Sequence, residues 1–161
     1  MVGIRAAKSD EVETLARIGL AAWRKGLKPH VPDTVAARIE RGNPFLPFLR
    51  EMGSRVLVAV VDGSAAGIGA CEHGDDYISD VWVSPRFEGR GAGKALVRAL
   101  EREISMRGYP LARIDVAAAN VRALQLYKHL GYTQAWRSTV QDSILEISLE
   151  KIGLVKSLSA A

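Results

Sequence analysis

Apolar positions along this chain switch between two periods, and the switches outline its elements. A short strand over residues 4–7 is followed by Val12, Leu15, Ile18, Leu20 and Trp23, which roughly keep the 3.6-residue spacing of a helix. Ser9 or Asp10 stands where its N-cap belongs. Between 24 and 54 the pattern is interrupted by Pro29, Pro32, Pro44 and Pro47, leaving a short helix over 33–41 and a turn over 45–48. Residues 55–61 read as a strand, Asp62-Gly63 as a tight hairpin turn, and 65–72 as the returning strand, weakened by Gly67 and Gly69. Gly74-Asp75-Asp76 turns the chain into a further strand over 77–83, so this meander is antiparallel. Leu96, Leu100 and Ile104 mark the buried stripe of a helix over 91–106 that stops at Arg107-Gly108-Tyr109-Pro110. A strand over 112–116 runs parallel to its predecessor if that helix is the crossover. Asn120 caps a helix over 121–130, and a hairpin over 136–140 and 144–149 turns at Gln141-Asp142-Ser143. Residues 152–161 read as a loose tail.

This order predicts one domain spanning 1–161, with its core in 3–150. The fold class is α/β in the α+β sense: a mixed, mostly antiparallel sheet with helices on both faces. At 161 residues the chain can bury a full core, and 48% apolar with 25% charged residues is ordinary for a soluble domain. A net charge of +4 favours anionic ligands weakly. Without a Lys/Arg block or an aromatic ladder it does not point to nucleic acid. Cys71 is the sole cysteine and His30, His73 and His129 are scattered, so no disulfide or metal site is expected. Early charges at Arg5, Lys8, Asp10 and Glu11 exclude a signal-peptide apolar region, and no run is long enough to span a membrane. A cytoplasmic location is expected.

The chemistry concentrates in Val83-Ser84-Pro85-Arg86-Phe87-Glu88-Gly89-Arg90-Gly91-Ala92-Gly93-Lys94, where a strand meets a helix through three alternating glycines. Such a loop turns several N–H groups toward one point, and the helix start adds unpaired N–H groups and about half a positive charge. That arrangement holds a phosphate or pyrophosphate. It is not a Walker A loop: Glu88 replaces the first glycine and Ala95 the Ser/Thr that would hold magnesium. Nor is it a dinucleotide fingerprint, although Asp115 lies near the place of a ribose-binding acid. The third glycine is missing and the preceding strands form hairpins. Arg90 and Lys94 lie near enough to the loop to bear on a phosphate.

The segment resembles the acetyl-CoA-binding motif of the GNAT superfamily of N-acetyltransferases, [QR]-x-x-G-x-[GA] after a Val-rich strand and a proline. Glu88-Gly89-Arg90-Gly91-Ala92-Gly93 matches at both glycines and departs at the first position. A second signature, Asn with Tyr seven residues later and then Gly-[FY], is similar to Asn120, Tyr127 and Gly131-Tyr132. The resemblance covers about 3–150. It implies acetyl-CoA as co-substrate, held by loop amides from Glu88 through Gly89, Arg90, Gly91, Ala92 and Gly93 to Lys94. It further implies backbone contacts from Val81 and Val83 to the pantetheine arm, and a contact from Asn120, which is also a natural helix cap. The implied acceptor is a primary amine, on a small molecule or on a protein. A homodimer, and a CoA-binding or protein-interaction module without transferase activity, stay open.

The resemblance places an acid at Tyr127, a phenol that can serve a leaving thiolate while staying protonated at neutral pH. Tyr127 also belongs to an apolar stripe with Ala123, Leu126 and Leu130, which packing alone would explain. Asp80, Asp115 and Glu72 compete for the base, with Asp80 ahead. Trp23 and 45–48 either line an acceptor pocket or pack. Glu88 is expected to turn outward or pair with Arg86 or Arg90.

Overall fold

The computed structural model describes residues 1–158. In chain order, β1 (Val2–Ala6) leads into α1 (Val12–Gly26), α2 (Asp33–Gly42) and α3 (Phe45–Met52). Then come β2 (Leu57–Val61), β3 (Ser64–Ala70), β4 (Tyr77–Ile78), β5 (Asp80–Val83) and α4 (Ala92–Met106). The chain closes with β6 (Leu111–Ala117), α5 (Val121–His129), β7 (Thr133–Asp142) and β8 (Ile147–Ser157). One sheet has the order β1-β2-β3-β5 and is antiparallel throughout; the other has the order β4-β6-β8-β7, with β4 parallel to β6. The expected mixed, mostly antiparallel α/β fold is therefore present.

The strand expected over 77–83 is divided at Ser79. Tyr77 and Ile78 pair with Arg113 and Ile114, whereas Asp80 to Val83 pair with Ala70 to Gly67. A chain that leaves one sheet and joins another opens a V between β5 and β6. Both Gly67 and Gly69 sit under α4: a Cβ on Gly67 would lie 3.2 Å from Leu96, and one on Gly69 3.2 Å from Leu100. The two glycines that weaken the strand pattern let the helix settle onto the sheet.

Helices cover both faces of the first sheet. Leu15, Leu20, Trp23, Ile39, Phe45 and Leu49 bury one face with Val58 and Ile68, while Leu96 closes the other against Ala59, Val61 and Ala66. The inner stripe of α4 continues through Leu100 and Ile104 onto Ile78, Ile114, Ile152 and Leu154 of the second sheet. Thus α4 joins the two halves.

Four local expectations need correction. Neither Ser9 nor Asp10 caps α1. A 3-10 turn precedes the helix, and the Glu11 carboxylate accepts from the Lys8 N–H at 2.9 Å and from Arg5 at 2.7 Å. The turn expected over 45–48 is the start of α3: Pro47 stands in the first helical turn, where a missing N–H costs no hydrogen bond. The last hairpin is longer and turns later, over 143–146, because the Asp142 carboxylate accepts the N–H groups of Ile144 (2.9 Å) and Leu145 (2.8 Å). Residues 152–157 are not a tail. They complete β8, with Ile152 and Leu154 buried against β6, and only 159–161 fall outside the described residues. Gly153, within β8, is covered by the Trp136 indole, which occupies the space of a Cβ.

Leu154→Ala should therefore lower the unfolding free energy by about 2–5 kcal/mol, the usual cost of emptying a buried leucine site. Urea unfolding measures it, and a loss below about 0.5 kcal/mol, the size of a surface change, would contradict the buried strand.

Candidate active site

The V between the sheets is a cleft with a backbone wall on each side. Ser84 N–H donates to the Ala66 carbonyl at 2.8 Å, so by the alternation of an antiparallel pair Trp82 and Asp80 also face β3. The N–H and C=O groups of Val81 and Val83 then point across the gap. Opposite them, Asp115 to Ala117 extend past the short pairing with β4. A cavity of about 810 Å³ fills the gap, bounded by the end of α1, β5, the glycine loop, β6 and the start of α5.

At one end lies the glycine loop. After a 3-10 turn over Pro85–Phe87, Gly89 (φ 77°) and Gly91 (φ 86°) adopt left-handed backbone that L side chains disfavour. The first helical bond of α4 runs from Ala95 N–H to Gly91 C=O at 3.0 Å, which leaves the amides of Ala92, Gly93 and Lys94 without helical acceptors. Lys94 borders the cavity. Arg90 does not: its guanidinium pairs with Asp62 at the β2–β3 turn, 2.5 Å away. The Glu88 carboxylate pairs with neither Arg86 nor Arg90. Lys25 Nζ (2.5 Å) and an Arg122 guanidinium nitrogen (2.9 Å) reach it from α1 and α5, while Arg86 lies over the Phe87 ring.

The deeper end holds the titratable groups. Asn120 caps α5, its side chain accepting the Ala123 N–H at 3.4 Å, and borders the cavity with Tyr127. Tyr127 is buried edge-on to Tyr132 (6.2 Å between rings), yet its side reaches the cleft. Burial, then the Asp80 charge, push its phenol well above the usual range. Asp80 lies on the α1 side of β5, where the Trp82 indole (2.9 Å) and Ser79 Oγ (2.7 Å) donate to its two oxygens. Burial raises its pKa, and those two hydrogen bonds only partly offset the rise. Ser79 borders the cavity, whereas Asp80, which accepts a hydrogen bond from its hydroxyl, does not. Asp115 borders the cavity directly, from β6, and burial together with the nearby Asp115 carboxylate holds the Tyr77 phenol well above the usual range. Glu72 lies past the end of β3 beside His73 (3.1 Å), outside the cleft wall. Trp23 and Phe45 are core residues, and Phe45 packs edge-on against Trp82 at 5.3 Å.

The pattern of residues missed Ser79, Trp82, Lys25 and Arg122. Trp82 alternates with Asp80 and was legible as its same-face neighbour; the partners of Glu88 come from distant segments and left no local signal. Cys71, half-buried, has its thiol pushed up to about 11 by burial, in keeping with a packing role. Among the described residues no cluster of His, Cys, Asp or Glu could hold a metal ion, and no helix is long and apolar enough to cross a membrane.

The family model described as Acetyltransferase (GNAT) family matches residues 19–132. The chain belongs to that family. It is similar to the N-acetylaspartate synthetase of Rattus norvegicus, 33% identical over 89 residues, which are 53% of this chain and 30% of that protein. This chain thus spans about a third of the length of that relative. Its fold is that of a GCN5-related N-acetyltransferase from Rhodopseudomonas palustris (TM-score 0.80, 23% identity, 97% of this chain and 95% of that one). It also matches the PaiA N-acetyltransferase of Thermoplasma acidophilum, solved in complex with coenzyme A (TM-score 0.72, 15% identity, 98% and 99% covered).

An acetyl-CoA ligand held by the loop should be lost in Gly91→Val, because a β-branched residue is strained at φ 86° and disturbs the backbone that aims the loop amides. Wild type at about 100 times its dissociation constant should gain about 2.7 kcal/mol. The variant should show no such gain in thermal melts while keeping its native circular dichroism.

Proposed function

We propose that this chain is an acetyl-CoA-dependent N-acetyltransferase acting on a primary amine. The observation that carries the reading is the split at Ser79. It leaves the backbone groups of Val81 and Val83 open along a cleft that runs from the loop amides of 88–94 to Tyr127. A β-strand edge suits a pantetheine arm, whose two amides can pair with it as another strand would. The loop and the start of α4, as the pyrophosphate end, give the ligand its direction.

Starting from the ammonium form, the reaction joins the substrate nitrogen to the acetyl carbon and breaks the C–S bond; of the two protons the nitrogen gives up, one ends on the leaving sulfur as a free thiol and the other is released. A backbone N–H of β5 is suited to polarise the thioester carbonyl. The neutral Tyr127 phenol, held protonated by its surroundings, donates a hydrogen bond to the sulfur as negative charge develops there. Asp80 is assigned the ammonium proton, reached through Ser79, since its raised pKa makes it a stronger base than an ordinary aspartate. Asn120 orients the cofactor arm while capping α5. The acceptor side of the cleft carries Trp82, His30, Leu149 and the Asp142–Lys151 pair (3.0 Å). Release of free thiol from acetyl-CoA across a panel of small amines, amino acids and peptides tests the reading. Binding without thiol release for any amine would leave a CoA-binding module instead.

Tyr127→Phe keeps the ring and its packing but removes the donor. Turnover should fall about 10- to 1000-fold with cofactor affinity nearly unchanged; a rate within about twofold of wild type would reduce Tyr127 to packing. Asp80 supplies the pH test. A raised pKa keeps the carboxyl protonated to higher pH, so the fraction of active base falls off on the acid side above the ordinary aspartate range of about 3.9. Asp80→Asn should abolish this acidic limb of kcat/KM, and Asp115→Asn should preserve it. The opposite pair of profiles would move the base to Asp115.

A further inference from the structure

Two cations border the phosphate end of the cleft from opposite walls. Lys25 is in the last turn of α1 and Arg122 in the first turn of α5, and both reach one carboxylate oxygen of Glu88. Arg122 is set against its own helix, since a helix N-terminus repels a cation. Lys94 sits likewise at the start of α4. One carboxylate faces Lys25 and Arg122, so the cluster keeps excess positive charge beside the loop amides. Glu88 itself stands on the loop that the resemblance gives to the pyrophosphate, in the one position where this chain departs from the family pattern.

We propose that Lys25 and Arg122 are phosphate-binding residues for the CoA-type ligand, and that Glu88 is an internal anion competing with that ligand for them. The inference rests on the acetyl-CoA reading above. A carboxylate carries one charge and engages the two cations through a single oxygen. A pyrophosphate carries more charge and several acceptor oxygens, so it can take both cations and displace Glu88. A lone small anion gains less by the exchange, and Glu88 therefore screens out weakly charged ligands from a site rich in N–H groups. The clasp also links α1, the loop and α5 across the mouth of the cleft, so binding exchanges one set of ion pairs for another. All three side chains remain in contact with solvent, hence the competition weakens as salt rises.

Titration calorimetry with CoA, at low and at raised ionic strength, decides this. Glu88→Gln should bind CoA about 3- to 10-fold more tightly than wild type at low salt, with the gain shrinking at higher salt. Lys25→Gln and Arg122→Gln should each weaken binding by a similar factor. Adding Glu88→Gln to the Lys25→Gln/Arg122→Gln double variant should give no gain, because nothing is left to compete for. Inorganic phosphate should compete with CoA more effectively in Glu88→Gln than in wild type. Weaker or unchanged CoA binding in Glu88→Gln, or an undiminished gain in the double-variant background, overturns the inference while leaving the acetyl-CoA reading intact. Wild type that binds no CoA at any salt overturns both. Thermal melts of each variant confirm that the comparison is made among folded proteins.

Discussion

A backbone edge left unpaired inside a fold must find hydrogen-bond partners elsewhere, and that constraint organises this protein. At Ser79 the chain passes from β4 in one sheet to β5 in the other. The transfer is pinned: Ser79 N–H donates to the Ala70 carbonyl at 3.0 Å, and Ser79 Oγ accepts the Glu72 N–H at 2.8 Å. Past that point β5 and β6 cannot zip together, so polar backbone lines both walls of the gap. Buried backbone groups are almost always satisfied, by water or by a ligand that imitates a strand. The remaining architecture holds the gap open, with α4 packed beneath both sheets and α5 closing one side.

The two ends of the cleft differ in electrostatic character. At the inner end, burial disfavours charge and the Asp80 carboxylate adds to the cost of ionising Tyr127. In the proposed reaction Tyr127, an acid held neutral, and Asp80, a base made stronger, are set apart by their surroundings, the separation that acid–base chemistry on one ligand requires. At the outer end, Lys25, Arg122, Glu88 and Lys94 meet solvent, and their interactions are worth little individually. On the proposed reading, anions are captured where charges are cheap to rearrange, and protons are moved where they are not.

Local signals made much of this legible. The Asp62-Gly63 turn (φ 50° and 80°) is the left-handed pair that tight hairpins favour, and Leu96, Leu100 and Ile104 are all buried as their spacing requires. The glycine loop and the Asn120 cap are likewise short-range features. What escaped is long-range. Residues 77–83 are apolar enough for one continuous strand, and nothing within them says that its halves serve different sheets. The C-terminal strand depends on a long-range contact too: at Gly153 the Trp136 indole of β7 lies where a side chain would be, and nothing within 152–157 announces that partner. The departure at Glu88 was visible as a mismatch, but its partners lie 63 residues before it and in the following crossover region.

The stretch from 24 to 54 carries the weakest periodic signal, and its role emerges only from its contacts. Arg38 on α2 donates to the carbonyls of Ile144 (3.1 Å) and Leu145 (2.6 Å) and pairs with Glu146 at 3.3 Å, while the Leu145 side chain is buried in the core beneath α1 and α3. The β7–β8 turn is thereby fastened to the helical layer on the side of the cleft that carries Asp142 and Lys151. The wall that carries the glycine loop is built by adjacent segments, β5, the loop and α4. The opposite wall depends on residues more than a hundred positions apart. A wall of that kind can change shape through substitutions in either segment while the strand split and the glycine loop stay fixed, so the two halves of the cleft are free to diverge independently.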